Sequence, residues 1–230
     1  MVFVINTKKL LKPLRDVLIL LSSSIYPVSC LGCGKEDVGL CAECLAVLPP
    51  PDFTQEEQIV SAFSYQNKVV KKAIRSLKYK NGQYLAPILA KALYERLLPE
   101  LADRKLLQNW SGALLIPIPL SAKRLKKRGY NQAELLAESL IKEDCGENFT
   151  IEKNALIRSI DTPPQADIKN KGERKNNVRG CFTVKKPELV RGKNVILIDD
   201  VATTGATLHE AERALKKAGV RKFLKITVAH

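Results

Sequence analysis

Apolar residues recur along this chain with two different spacings, which predict where helices and strands lie. A helical spacing covers four segments: Lys68 to Tyr79, about Ala86 to Leu98, Asn131 to Lys142 and Gly205 to Ala218. Short apolar runs typical of buried strands cover four others: Ile59 to Tyr65, Ala113 to Ile118, Val195 to Ile198 and Lys222 to Val228. Because strands and helices alternate, we expect an α/β fold with an open parallel sheet and flanking helices.

Three consecutive prolines, Pro49 to Pro51, separate this alternating region from the start of the chain. Proline disfavours helix and stiffens the backbone, as expected of a short connector. We therefore expect two domains, residues 1–52 and 53–230. The first is expected to begin with an amphipathic helix whose apolar stripe runs from Leu10 to Leu21 and packs into a core. Peripheral contact of its basic face with a membrane is the alternative.

The chain is strongly basic. Its 230 residues include 38 Lys and Arg against 24 Asp and Glu, which gives a formal net charge of +14. This balance favours a polyanionic partner, whether nucleic acid, a phosphorylated metabolite or an anionic membrane surface. No apolar run approaches the roughly 20 residues of a membrane-spanning helix, and the apolar patch near the start is too short for a secretion signal. We expect a cytoplasmic protein, with the inner face of the membrane as a second possible location.

Four of the six cysteines form two CxxC pairs separated by a seven-residue loop. They are Cys30, Cys33, Cys41 and Cys44. Four thiolates at this spacing can surround one Zn²⁺ tetrahedrally and leave no open position for chemistry. Gly32 and Gly34 provide the permissive dihedrals of such tight turns. We predict a structural zinc site; an iron–sulfur cluster, disulfides or four buried thiols are the alternatives.

The apolar run that ends at Ile198 is followed by two carboxylates, Asp199 and Asp200, and then by a turn of small and hydroxyl-bearing residues. The turn consists of Ala202, Thr203, Thr204, Gly205, Ala206 and Thr207. In an open α/β sheet, ligands bind beyond the carboxyl ends of the strands. The unpaired amides of the following helix, together with threonine hydroxyls, can bind a phosphate. The carboxylates suit ligand hydroxyls or Mg²⁺.

The turn and the two carboxylates together predict a site for a ribose 5-phosphate. The phosphate is expected at the turn, and the two ribose hydroxyls are expected at Asp199 and Asp200. The plain alternative is an Asp-rich turn with a threonine helix cap. That alternative accounts for one threonine and one aspartate but leaves the rest of the cluster unexplained.

The stretch Val195 to Thr207 resembles the 5-phosphoribosyl-1-pyrophosphate (PRPP) signature of type I phosphoribosyltransferases. Motifs elsewhere in the chain are similar to one narrower family, the ComF competence proteins related to amidophosphoribosyltransferases. These motifs are Pro117-Ile-Pro119-Leu120, Arg124, Arg128-Gly-Tyr-Asn131-Gln132, Arg158-x-x-x-Thr162-Pro-Pro-Gln165, Arg174-x-x-Asn177, Gly180-Cys-Phe182, Lys78-Tyr79-Lys80 and the four-cysteine cluster.

The resemblance implies a phosphoribosyltransferase fold, PRPP and Mg²⁺ as ligands, and a role in uptake and handling of single-stranded DNA together with other competence proteins. It also implies that the loop after Ala113–Ile118 binds pyrophosphate through the backbone of Leu120, Ser121 and Ala122. The cations expected at the pyrophosphate are Arg128, Arg124 and Lys78. In such a transferase a nucleophile displaces pyrophosphate from C1 of the ribose, so catalysis depends on positioning and on stabilising the leaving group.

Three stretches concentrate the positive charge: Lys68 to Lys80, Lys123 to Arg128 and Lys169 to Arg179. They are candidates for sequence-nonspecific binding of single-stranded DNA. No general base is evident, since the chain has two histidines and we expect His209 to face solvent. Two hypotheses therefore stay open beside each other, a phosphoribosyltransferase with an unknown acceptor and an adaptor or nucleic-acid-binding protein with PRPP as a regulatory ligand. A nucleobase salvage transferase is a third.

Overall fold

The computed structural model describes residues 28–51, 59–79, 82–161 and 178–230. The predicted N-terminal amphipathic helix lies outside these residues. The chain divides into two compact units, Met1–Val47 and Leu48–His230. In the first unit, the described part consists of turns around the cysteines and one short helix, α1 (Ala42–Ala46).

The second unit contains a five-stranded parallel sheet with the strand order β1-β7-β6-β2-β3. Its strands are β1 (Ile59–Phe63), β2 (Ala113–Pro117), β3 (Phe149–Ile151), β6 (Asn194–Val201) and β7 (Lys222–Ala229). A separate antiparallel pair is formed by β4 (Leu156–Arg158) and β5 (Phe182–Val184). The predicted parallel α/β fold is confirmed.

Six described helices accompany these strands. They are α2 (Lys68–Leu77), α3 (Leu85–Gln108), α4 (Ala122–Arg128), α5 (Gln132–Asp144), α6 (Pro187–Val190) and α7 (Ala206–Lys217). The four predicted helices all form. Asn67 begins α2 by accepting hydrogen bonds from the amides of Val69 and Val70, which is a standard helix cap.

Helix α3 is ten residues longer at its C-terminal end than its sequence pattern predicts. Pro99 lies inside it, and proline normally ends or kinks a helix because it lacks an amide hydrogen. Leu97 and Leu101, on either side of the proline, are both buried. Burial of this apolar face offsets the missing hydrogen bond, and the helix continues to Gln108.

The central strand β6 is the element that positions the site. Residues Val195 to Ile198 are fully buried between neighbouring strands and the core cluster. Beyond β2, the amide of Ile118 still bonds to the carbonyl of Ile198, and beyond β6 the amide of Ala202 bonds to Ala229. The loops after β2 and β6 therefore leave the same edge of the sheet side by side.

Candidate functional site

Asp199 and Asp200 lie near the C-terminal end of β6. Consecutive side chains of a strand point to opposite faces of the sheet. Asp200 is buried, and its Oδ2 lies 3.1 Å from Nζ of Lys78. Asp199 is partly exposed, and its Oδ1 accepts a hydrogen bond of 2.8 Å from the amide of Asp200. The structure thus brings together three predicted site residues, with a cation beside one of the two acids.

The surroundings of these groups change their proton affinity. Burial, together with the neighbouring carboxylate of Asp200, raises the pKa of Asp199 to about 8. Burial alone would lower the pKa of Lys78, but the ion pair with Asp200 and the charge of Asp199 raise it above its usual value. Lys78 is therefore a permanent cation, whereas Asp199 changes charge near neutral pH.

The turn between β6 and α7 leaves polar groups available for a ligand. Gly205, at the start of α7, has a φ of 61° in the left-handed region, and no side chain caps the helix. Thr204 is buried, and its Oγ1 has no hydrogen-bond partner. A buried hydroxyl without a partner is costly and unusual. Together with the first amides of α7, this hydroxyl forms an arrangement that fits a phosphate.

A network behind the turn was not predicted from the sequence. Nδ1 of His209 lies 3.0 Å from the carbonyl oxygen of Gly205, and its Nε2 lies 3.1 Å from Nζ of Lys225. Lys225 is buried and also forms an ion pair with Glu212. An ammonium group only donates, so Nε2 accepts and Nδ1 carries the hydrogen that is donated to Gly205. His209 is exposed as expected, yet it also supports the turn. The sequence signal that could have predicted this network is Lys225, a lysine at a buried position of strand β7.

The loop after β2 lies beside this turn. Leu120 is partly exposed. Ser121 is buried, begins α4 by accepting from the amide of Arg124, and donates a short hydrogen bond to Asp161. Burial and the neighbouring guanidinium of Arg158 lower the pKa of Arg124, while the charges of Asp161 and Asp199 oppose this. Arg124 lies in the first turn of α4, directly after this loop.

Arg128 has a different environment. Its guanidinium donates to Oε1 of Gln132, at the corner between α4 and α5. Of the other predicted residues, Thr203 is exposed, Ala202 and Ala206 are buried, and Thr207 is partly buried. The motif residues of 162–177, and most of the basic stretch 169–179, lie outside the described residues.

The four cysteines of the first unit converge on one point. Their sulfurs all lie within 4.8 Å of one another, and the Cys30–Cys41 and Cys33–Cys41 sulfurs are 3.6 and 3.7 Å apart. A tetrahedral site with Zn–S bonds of about 2.3 Å places sulfurs about 3.8 Å apart. The thiols are free rather than joined in disulfides, and Cys33 is exposed. The cluster could therefore hold a metal such as zinc.

Two local features favour a metal at the cysteines. Burial would raise the pKa of Cys30, but hydrogen bonds from the amides of Cys33 and Cys41 lower it to about 6, which favours a thiolate at this one position. The amide of Cys44 would lower the pKa of Cys41, but the hydrogen bond with Glu43 and burial raise it to about 12. A Cβ at Gly32 would lie 2.7 Å from the sulfur of Cys44. Gly32 is thus required for space, whereas Gly34 has the left-handed backbone expected of a tight turn.

A small cavity lies at the β6–α7 turn, lined by Val201 to Thr203 and Gly205 to Leu208. A larger cavity of about 420 Å³ lies at the opposite, amino-terminal edge of the sheet. Lys193, Arg221 and Glu147 line it, and it contains none of the predicted site residues. Size alone therefore does not identify the site; the arrangement of acids, threonines and helix amides does. No helix among the described residues is long and apolar enough to cross a membrane.

Comparisons with known proteins agree with this geometry. The sequence model of the phosphoribosyl transferase domain matches residues 79–230, which include β2, β6, the acids and the turn. A protein named Competence protein ComFC from Bacillus subtilis (strain 168) is 42% identical over 106 residues, 46% of this chain and 39% of that protein.

Two further relatives extend the similarity. Competence protein F from Haemophilus influenzae is 33% identical over 152 residues, 65% of this chain and 63% of the relative. DNA utilization protein YhgH from Shigella flexneri is 27% identical over 179 residues, 78% of this chain and 72% of the relative. The chain thus spans less than two thirds of the length of the first two.

Proposed function

The chain belongs to the phosphoribosyl transferase domain family and is a ComF-type protein within it, and from this premise we propose that it binds PRPP and acts on single-stranded DNA taken up during natural transformation. The role in DNA uptake rests on the names of the relatives, two of which are competence proteins and one a DNA utilization protein. The proposed location is the cytoplasm or the inner face of the cell membrane, where other competence proteins are partners.

The single observation that carries PRPP binding is the turn between β6 and α7. Oγ1 of Thr204 is buried without a partner beside helix amides that no side chain caps. A 5-phosphate at this point satisfies the hydroxyl and interacts favourably with the positive end of the helix. The network from Lys225 through His209 to Gly205 keeps the backbone of the turn in place.

The ribose and the pyrophosphate fit the residues beside the turn. Asp199 and Asp200 offer the hard oxygen ligands that ribose hydroxyls or Mg²⁺ require. When bound with PRPP, Mg²⁺ supplies charge neutralisation at the pyrophosphate. Lys78 lies beside Asp200. It is proposed to contact the pyrophosphate together with Arg124, Arg128 and the loop at Leu120 and Ser121.

The proposed metal of the first unit is zinc, held by the four cysteines in a structural role. The sulfur–sulfur distances match the edge of a tetrahedral zinc–thiolate site. Four ligands from the chain fill such a site, so it stabilises the fold of the unit rather than catalysing a reaction.

PRPP as a regulatory ligand, bound without turnover, is the second candidate function. Transfer to an acceptor needs a base near C1 of the ribose. His209 is engaged on both ring nitrogens, by Gly205 and by Lys225, and is not available as that base. Asp161 accepts a hydrogen bond from Ser121 of the proposed pyrophosphate loop and is the candidate base if turnover occurs.

Titration calorimetry with PRPP and Mg²⁺ tests the proposal. Wild-type protein is expected to bind PRPP, and Asp199→Asn/Asp200→Asn is expected to lose binding by at least about 100-fold, since both carboxyl ligands are replaced by neutral amides. Asp103→Asn/Asp37→Asn, which changes two exposed acids elsewhere, is the control with the same charge change. Release of pyrophosphate with candidate acceptors separates turnover from binding alone. Unchanged affinity in the site variant overturns the proposal.

A further inference from the structure

Two basic helices that are far apart in the sequence meet in the structure. The hydroxyl of Tyr130, just after α4, lies 2.8 Å from the carbonyl oxygen of Leu77 at the end of α2, and it also contacts the carbonyl of Tyr79. The C-terminal ends of α2 and α4 are thereby joined. Neither Lys68–Tyr79 nor Ala122–Tyr130 contains an acidic residue.

We group the exposed cations of these two joined helices under one name, the α2–α4 surface. Four exposed cations lie on α2 and three on α4. They are Lys68, Lys71, Lys72, Arg75, Lys123, Lys126 and Lys127. Two large side chains are exposed among them, Tyr79 with 66% and Leu125 with 44% of their surface accessible.

Helix stability does not account for this surface. Cations in the last turn of a helix interact favourably with its dipole, which explains Arg75, Lys126 and Lys127. Lys68 and Lys123, however, lie in the first turns of α2 and α4, where a positive charge is unfavourable. An exposed tyrosine between the two helices likewise contributes nothing to the core.

The same two helices also reach the ribose-phosphate site. Lys78, directly after α2, forms the ion pair with Asp200, and α4 begins directly after the loop that follows β2. The end of α2 therefore directs Lys78 into the site, while the other cations of this helix are exposed. A polyanion bound along the α2–α4 surface lies next to the position proposed for PRPP.

We propose that the α2–α4 surface binds single-stranded DNA, with phosphates on the lysines and a base stacked on Tyr79, beside the PRPP site. Cations that follow a backbone, combined with an exposed aromatic ring on which a base stacks, are typical of single-strand binding without sequence preference. The two helices are about 15 and 10 Å long, which is room for several nucleotides. This inference names the DNA surface within the proposed function and rests on it.

Fluorescence anisotropy with a labelled 20-nucleotide oligo(dT) tests the surface in the full chain. Lys71→Gln/Lys72→Gln/Lys126→Gln is expected to weaken binding at least ten-fold at low salt. It is also expected to reduce the slope of log K against log salt by about 2, since three phosphate contacts are lost. The control is Lys105→Gln/Lys193→Gln/Lys217→Gln, which removes three exposed lysines from the opposite edge of the sheet and is expected to bind like wild type.

Tyr79→Ala is expected to weaken binding about ten-fold and Tyr79→Phe to retain it, because stacking needs the ring and not the hydroxyl. Equal loss in the control and test triple variants, or equal affinity for duplex DNA, overturns the inference. So does a test variant that loses binding to phosphatidylglycerol vesicles but not to oligo(dT), which assigns the surface to the membrane. Titration of the same variants with PRPP distinguishes failure of this inference from failure of the proposed function. If a test variant still binds both PRPP and DNA like wild type, the DNA surface is rejected and the proposed PRPP binding is not.

Discussion

Nζ of Lys78 lies 3.1 Å from Oδ2 of Asp200, so a lysine from the end of α2 neutralises a buried acid at the end of the central strand. Removing one partner of such a pair leaves an uncompensated charge. The lysine is partly exposed, which lowers the cost, and Lys78→Met is expected to reduce the free energy of unfolding by about 1–3 kcal/mol. Urea denaturation measures this.

The control for the ion pair is Lys72→Met on the exposed face of the same helix, which should change stability by less than about 0.5 kcal/mol. In the double variant Lys78→Met/Asp200→Asn, the loss should be smaller than the sum of the two single losses. Additive losses would show that the two side chains do not interact.

Thr204 offers a test in which stability and binding change in opposite directions. Thr204→Val removes a buried hydroxyl that has no partner, so we expect unchanged or slightly higher stability, by up to about 1 kcal/mol. The same change removes a phosphate donor and should weaken PRPP binding about ten-fold. Thr204→Ser, which keeps the hydroxyl, is the matched control. A Val variant that binds PRPP like wild type contradicts the role of this residue.

The raised pKa of Asp199, about 8, predicts a specific pH dependence. An unfolded aspartate has a pKa of about 3.9, so between these values the folded state binds the extra proton and stability falls as pH rises. From pH 5 to pH 9, wild type should lose about 1–3 kcal/mol more stability than Asp199→Asn. Urea denaturation at the two pH values gives the difference. Parallel pH curves for the two proteins would show that the carboxyl group is already ionised at pH 5.

His209 is predicted to act through Gly205. His209→Ala removes the hydrogen bond to the Gly205 carbonyl and should weaken PRPP binding about five-fold, while the free energy of unfolding changes by less than about 1 kcal/mol because the ring is exposed. His209→Asn places an amide nitrogen near the Nδ1 position and should restore affinity. If Ala and Asn variants bind equally well, the hydrogen bond has no part in phosphate binding.

The cysteine cluster is predicted to contain one zinc ion per chain. Elemental analysis of the purified protein should find one equivalent, and Cys41→Ser should lose it because a thiolate ligand is removed. Cys145→Ser, which changes an exposed thiol outside the cluster, should retain it. Protein with no zinc, or with iron in its place, contradicts this assignment.

The local sequence pattern predicted the elements that carry the site but not their complete boundaries. Val195–Ile198 is one continuous apolar run and the apolar positions of α2 recur with helical spacing, and the structure contains both elements. Strands β3, β4 and β5 have three residues each, too few for any period to show. Helix α3 continues beyond Pro99 because Leu101 is buried by tertiary packing. The expectation that proline ends a helix considers only the local sequence and does not include this packing.

The site was predictable only where its residues are adjacent in the sequence. Asp199 to Thr207 form one continuous segment, so strand, acids and turn can be identified together. The contacts of Lys78 with Asp200, Ser121 with Asp161, and Lys225 with His209 join distant segments. Such contacts depend on strand order and on which loops leave the same edge, and these are set by the fold as a whole.

The most direct test of the central claim is a crystal structure of the protein soaked with PRPP and Mg²⁺. We expect the 5-phosphate at the amides of the β6–α7 turn, with Oγ1 of Thr204 as a donor, and the ribose hydroxyls at Asp199 and Asp200. A sugar phosphate bound elsewhere, such as in the cavity at the opposite edge of the sheet, or a turn that stays empty at saturating PRPP, contradicts it.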